Sequence, residues 1–138
     1  MKILVIDGMG GGIGKSVIER LKQETDGYSL LAIGTNAIAT SSMLKAGADQ
    51  SATGENAIVY NCNRVDVIIG TIGIVLANSM LGEISPVIAK AVSTSEAKKI
   101  FIPTSRCNAF VTGVKDQSTA QYIEEIPHIL KKLEKINE

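Results

Sequence analysis

The chain has 138 residues, 45% of them hydrophobic, which is enough for a sizeable core and too apolar for a disordered segment. Lys plus Arg and Asp plus Glu number 14 each, so no basic face calls for nucleic acid or an acidic membrane, and the absence of Trp argues against a base-stacking surface. Two cysteines without metal spacing or a CxxC motif fit a reducing compartment, and with no leader-like segment the expected location is cytoplasmic.

Strand-like and helix-like segments alternate along the chain. Lys2–Asp7 reads as a first strand, and Ile13–Glu24 as a helix with Val17, Ile18 and Leu21 on one face. A turn at Asp26-Gly27 leads to a strand at Ser29–Gly34 and a helix at Ala37–Ala46 that stops at Gly47. Ala48–Thr53 holds a short strand, and Gly54-Glu55-Asn56 starts a helix through Cys62. Val65–Gly70 is continuously apolar, the pattern of a strand buried on both faces.

Gly73–Leu81 reads as a short helix with Ile74, Val75, Leu76, Met80 and Leu81 and too little polar surface to face water. Either the domain buries it or a second copy of the chain covers Gly73–Gly82. Ser85-Pro86 starts a helix to Ser93, with Ser as N-cap and Pro at the first helical position. Lys99–Pro103 is a strand and Ala109–Val114 a short edge strand. Ser118–Gln121 has capping-box spacing and opens a last helix, which Pro127 is expected to kink or split. Strands and helices alternating at this spacing predict one α/β domain over 1–138. Its sheet is doubly wound and mostly parallel, with about five strands between two helix layers, in the Rossmann-like manner.

The segment Gly8-Met9-Gly10-Gly11-Gly12-Ile13-Gly14-Lys15-Ser16 lies between the first strand and the first helix. Glycines there let main-chain amides approach an anion, and a helix start adds unpaired N–H groups with a positive dipole end. The expected ligand is a nucleotide or another phosphorylated metabolite, with or without Mg²⁺. Gly8, Gly10, Gly11, Gly12 and Gly14 would wrap the phosphate, and Lys15 and Ser16 would neutralise and bond it. Asp7 is out of place beside a phosphate unless it caps the loop.

The loop fits no standard fingerprint. In GxGxxG counted from Gly8, the third glycine falls on Ile13. Gly8, Gly12, Ile13 and Gly14 match the GxxxGIG of short-chain dehydrogenases, but Tyr28, Tyr60 and Tyr122 are followed four positions on by Ala32, Arg64 and Ile126, not by the Lys of that chemistry. The second strand ends in Gly34-Thr35-Asn36 with no acid for a ribose. In the P-loop pattern GxxxxGK[ST] the first glycine falls on Met9. Gly10–Ser16 resembles the deviant KGGxGK[ST] loop of partitioning-type ATPases, with Gly10 in place of its signature Lys. The apolar strand ends in Gly70, where a working ATPase needs an acid for Mg²⁺.

In doubly wound sheets the ligand crevice lies outside the carboxyl ends of the strands. Those ends carry Thr35-Asn36, Thr53-Gly54-Glu55-Asn56, Thr71 and Thr104-Ser105-Arg106-Cys107-Asn108. Thr35, Asn36, Thr53 and Asn56 are expected to hold the rest of the ligand. Asp7, Lys15, Glu55 and Glu83 are the candidate catalytic groups if the protein is an enzyme. His128 stands apart from these clusters, and no residues have metal-ligand spacing.

Ile6-Asp7-Gly8, Gly10–Lys15, Gly34–Ser41, Ala52–Ala57 and Gly82-Glu83-Ile84 together resemble a small bacterial family known only as a domain of unknown function. The resemblance covers nearly the whole chain. It implies a stand-alone cytoplasmic protein and assigns no activity, cofactor or catalytic residue. Three readings stand: a binding or sensor module, a small enzyme of phosphoryl or nucleotide chemistry, and a structural or assembly subunit with no ligand.

Overall fold

The computed structural model describes residues 1–25 and 27–136. Of the turn expected at Asp26-Gly27, Asp26 lies outside the described residues, and Gly27 has a left-handed φ of 69°.

Five strands form one parallel sheet: β1 (Lys2–Asp7), β2 (Ser29–Gly34), β3 (Gln50–Thr53), β4 (Val67–Thr71) and β5 (Lys98–Ile102). Their order is β3-β2-β1-β4-β5. The chain moves outward from β1 to β3, then crosses back to place β4 on the other side of β1. That reversal puts a crevice at the carboxyl ends of β1 and β4, where doubly wound sheets bind ligands.

Five helices cover the sheet: α1 (Gly12–Lys22), α2 (Ala37–Lys45), α3 (Glu55–Asn61), α4 (Pro86–Thr94) and α5 (Thr119–Ile136). Successive side chains of the central strands point to opposite faces and divide the core. Ile3, Val5, Val67 and Ile69 pack with Val17, Ile18 and Leu21 of α1, Met43 of α2, and Ile123, Ile126 and Leu130 of α5. Leu4, Ile6, Ile33 and Ile68 pack on the opposite face with Ile58 of α3 and Ile88 and Val92 of α4. A strand buried on both faces favours apolar side chains throughout, hence the runs Ile3–Ile6 in β1 and Val67–Ile69 in β4.

Three local expectations need correction. Gly73–Leu81 is not a helix. A single 3-10 turn, Ile72–Val75, gives way to a tight run in which Asn78, Met80, Leu81 and Gly82 have positive φ, so a right-handed helix cannot continue. Ile74 and Ile84 at its two ends are fully buried and tie the segment to the α4 face, while Leu81 at its tip is 94% exposed. Ala109–Val114 is not a strand: Phe110, Val111 and Val114 are all exposed, without the alternating burial a strand on this sheet would show. Pro127 does not split the last helix, which runs unbroken for 18 residues. Burial of Ile123, Ile126 and Leu130, at about 1.5–3 kcal/mol each, outweighs the roughly 3 kcal/mol that an internal proline costs.

Candidate functional site

β1 ends at Asp7, and the chain must then turn to start α1 above the sheet edge. The turn is closed by the Gly11 amide donating to the Gly8 carbonyl at 3.0 Å. Gly11 takes the left-handed conformation, φ 73°, and a Cβ there would lie 2.7 Å from Ala39 Cα. Glycine is therefore dictated at this position by both backbone angle and space.

The buried Asp7 carboxylate caps this turn. Its Oδ1 accepts from the Gly8 amide at 2.8 Å, and its Oδ2 from the Gly14 amide at 2.6 Å. Burial raises its pKa above the usual carboxylate value, the two amides pull it down, and the charge of Glu83 pushes it up again. Asp7 thus acts as a loop cap, which accounts for an acid at a strand tip where a phosphate was expected.

Glu83 is the second knot. It descends from the tight 76–84 run onto the glycine loop. Its Oε1 accepts from the Thr35 hydroxyl at 2.6 Å and from Asn36 Nδ2 at 2.7 Å, and both carboxylate oxygens lie 3.1 Å from the Met9 amide. The Thr35 bond lowers its pKa most, burial opposes, and Asn36 and Met9 lower it further. Asn36 also donates to the Met9 carbonyl and caps α2 through the Ala39 amide. Asp7, Gly8, Gly14, Thr35, Asn36 and Glu83 are therefore brought together, but as a self-contained hydrogen-bonded cluster.

The other expected site residues lie elsewhere. Thr53 shares a 2.7 Å hydrogen bond with Thr40. Asn56 is exposed in the first turn of α3. Glu55 accepts from the Ser85 hydroxyl, joining α3 to the cap of α4. Lys15 is exposed and leans toward Glu19, with Nζ 3.9 Å from its carboxylate. Ser16 donates to the Gly12 carbonyl at 3.1 Å. Among the described residues no group of three or more His, Cys, Asp or Glu side chains could hold a metal ion, and no helix is long and apolar enough to cross a membrane.

The amides from Gly8 to Gly14 divide in two. Those of Gly8, Met9, Gly11 and Gly14 already have acceptors within the protein, so the cradle is narrower than the glycine count suggested. Among the described residues those of Gly10, Gly12 and Ile13 have none. Gly12, Ile13 and Ser16 form one wall of a cavity of about 390 Å³ between the starts of α1 and α5. Its other walls include Thr104, Arg106 and Thr119. The cavity also holds two acids, each with a cation beside it: Glu19 near Lys15, and Glu124 bonded to Arg20 Nε at 3.0 Å. Among the described residues Arg106 has no carboxylate within ion-pair distance.

Arg106 and Thr104 were not singled out by sequence reasoning. The signal was present: among the polar clusters at the strand ends, Thr104–Asn108 alone carries an arginine. Its proximity to α1 could not be read from the sequence, because β5 lies beyond β4 from the glycine loop and only the return of α5 across the α1 face closes the gap.

The chain belongs to the family described as a domain of unknown function, DUF3842, whose model matches residues 2–135. No curated protein matches the sequence. Among solved structures, it is similar to the crystal structure of a dodecameric FMN-dependent Ubix-like decarboxylase from Escherichia coli O157:H7. The two share 15% sequence identity and a TM-score of 0.47, over 95% of this chain and 76% of that one.

Proposed function

We propose that this member of the DUF3842 family is a binding module for the phosphate end of a nucleotide or similar phosphorylated small molecule. One observation carries the reading: Gly12 and Ile13, whose amides have no acceptor among the described residues, line one cavity with Arg106, which has no acid partner among them. Helix-start amides and a guanidinium are complementary to a phosphate dianion. Thr104 and Thr119 line the same cavity and carry hydroxyls. Asp7 and Glu83 are both engaged as acceptors within the loop, which favours binding without turnover over phosphoryl chemistry.

The test is a thermal-shift and calorimetric screen against inorganic phosphate, ribose 5-phosphate and nucleotides, using the natural protein and Arg106→Ala. A ligand at 100 times its dissociation constant adds about 2.7 kcal/mol of stability. Stabilisation of the natural protein that is lost in Arg106→Ala supports the reading. No stabilisation by any of these compounds, or equal stabilisation of both proteins, refutes it.

A further inference from the structure

A second cavity, of about 430 Å³, lies against the first. It is an open cleft lined by the segment from Pro103 to Gln117 together with Ile72 and Tyr122. The two cavities have Thr104, Arg106 and Thr119 in common, so they are neighbours with Arg106 at their boundary. The size of the second falls in the range of about 300–1,000 Å³ typical of small-molecule sites.

The chemistry of its walls differs from that of the phosphate site. Phe110 is 82% exposed, and Val111 and Val114 are exposed beside it. None of the three belongs to either half of the core. Single exposed apolar side chains are ordinary, but three around one concave surface mark a binding site. The Tyr122 ring forms another wall and is fixed at its tip, where its hydroxyl donates to the Lys115 carbonyl and accepts from the Gln117 amide. The cavity is thus held open by the protein's own bonds. Gln117 is in the same wall.

We propose that the ligand is a nucleoside monophosphate whose base occupies this second cavity, an inference that rests on the phosphate-binding reading above. A base offers two apolar faces for Phe110 and Tyr122. A sugar phosphate would leave these aromatic walls uncovered.

The experiment compares AMP, GMP, CMP and UMP with ribose 5-phosphate by calorimetry on the natural protein and Phe110→Ala. Stacking on one aromatic ring is worth about 10- to 100-fold in affinity. At least one nucleotide is expected to bind ten or more times tighter than ribose 5-phosphate. Phe110→Ala should remove most of that advantage while leaving ribose 5-phosphate binding unchanged. Phe110 is too exposed for its loss to unfold the chain. If ribose 5-phosphate binds through Arg106 and no nucleotide exceeds it, or if Phe110→Ala leaves the ratio intact, the base-binding inference is overturned and phosphate binding stands. If none of the probes binds, both fall together.

Discussion

The amide of Gly14 lies 2.6 Å from Oδ2 of Asp7, and a Cβ on Gly14 would lie 2.9 Å from the Asp7 Cβ and 2.6 Å from the Met43 sulfur. The strand end therefore reaches into the first turn of the helix that follows it. Glycine at position 14 lets the carboxylate come close enough to cap that turn. Part of the glycine richness of the loop serves this internal cap, and part is left over.

A set of alanine substitutions separates the two parts. At Gly11, left-handed backbone and contact with Ala39 combine, so Gly11→Ala should cost about 2–4 kcal/mol. Gly14→Ala should cost about 1–3 kcal/mol, since Met43 can move but Asp7 cannot. A Cβ at Gly10 or Gly12 meets nothing within 4 Å, so alanine there should leave stability within about 0.5 kcal/mol. Urea midpoints at constant m-value measure all four. Equal losses at all four positions would contradict this division of roles.

Glu83→Gln tests the second knot through pH. The depressed pKa of Glu83 means that its stabilisation is present above its ordinary value of 4.5 and is lost as pH falls through the folded value. Asp7 has the opposite sign. Its raised pKa gives a contribution present below 3.8 and lost as pH rises through the folded value. Glu83→Gln should cost about 1 kcal/mol at pH 7, a hydrogen-bond-sized loss that partial solvent exposure keeps small. The difference from the natural protein should close as pH drops below 4.5. Carbon NMR of the Asp7 carboxyl should show its pKa falling once the neighbouring charge is gone. A stability gap that persists unchanged into acid would show that Glu83 does not act through its charge.

The two free cysteines should differ in reactivity. Cys62 is fully buried at the end of α3, and burial pushes its pKa up to about 11. Cys107 is only half-buried, in the loop that lines the base cavity, and points its thiol at the Thr104 carbonyl at 3.3 Å. An aromatic disulfide reagent at pH 8 should titrate one thiol in the folded protein and both in denaturant. Two fast-reacting thiols under native conditions would contradict the burial of Cys62.

The architecture was legible because its signals are local and agree with one another. Continuous apolar runs mark β1 and β4, Ser85-Pro86 marks the start of α4, and Asn36 caps α2 as a polar residue at a helix start should. The failures were also physical. The 73–82 segment carries helix-like residues, but its path is set by Ile74 and Ile84 docking in the core, so tertiary burial overrides local preference. The glycine loop was legible as a close-approach turn, but not what approaches it. The Asp7 cap spans seven residues, whereas the Glu83 staple joins groups 74 apart in sequence. No local pattern reports a contact of that span.

The choice of cation is the most direct check on where an anion sits. The sequence points to Lys15, which follows the last glycine of the loop. The geometry favours Arg106, which lines both cavities and has no acid partner among the described residues, whereas Lys15 lines neither and faces Glu19. A bidentate guanidinium–phosphate contact is worth about 1.5–3 kcal/mol. Arg106→Ala should therefore weaken binding of inorganic phosphate or ribose 5-phosphate by about 10- to 150-fold, with the melting temperature of the free protein unchanged because the side chain is exposed. Arg106→Lys should recover only part of the loss, since an ammonium cannot reproduce the two-point contact. Lys15→Ala should weaken binding less than threefold, and that effect should shrink with added salt, as for a charge acting through water. If Lys15→Ala abolishes binding and Arg106→Ala does not, the anion sits over the glycine loop rather than between α1 and α5, and Glu83 must leave Met9 to admit it.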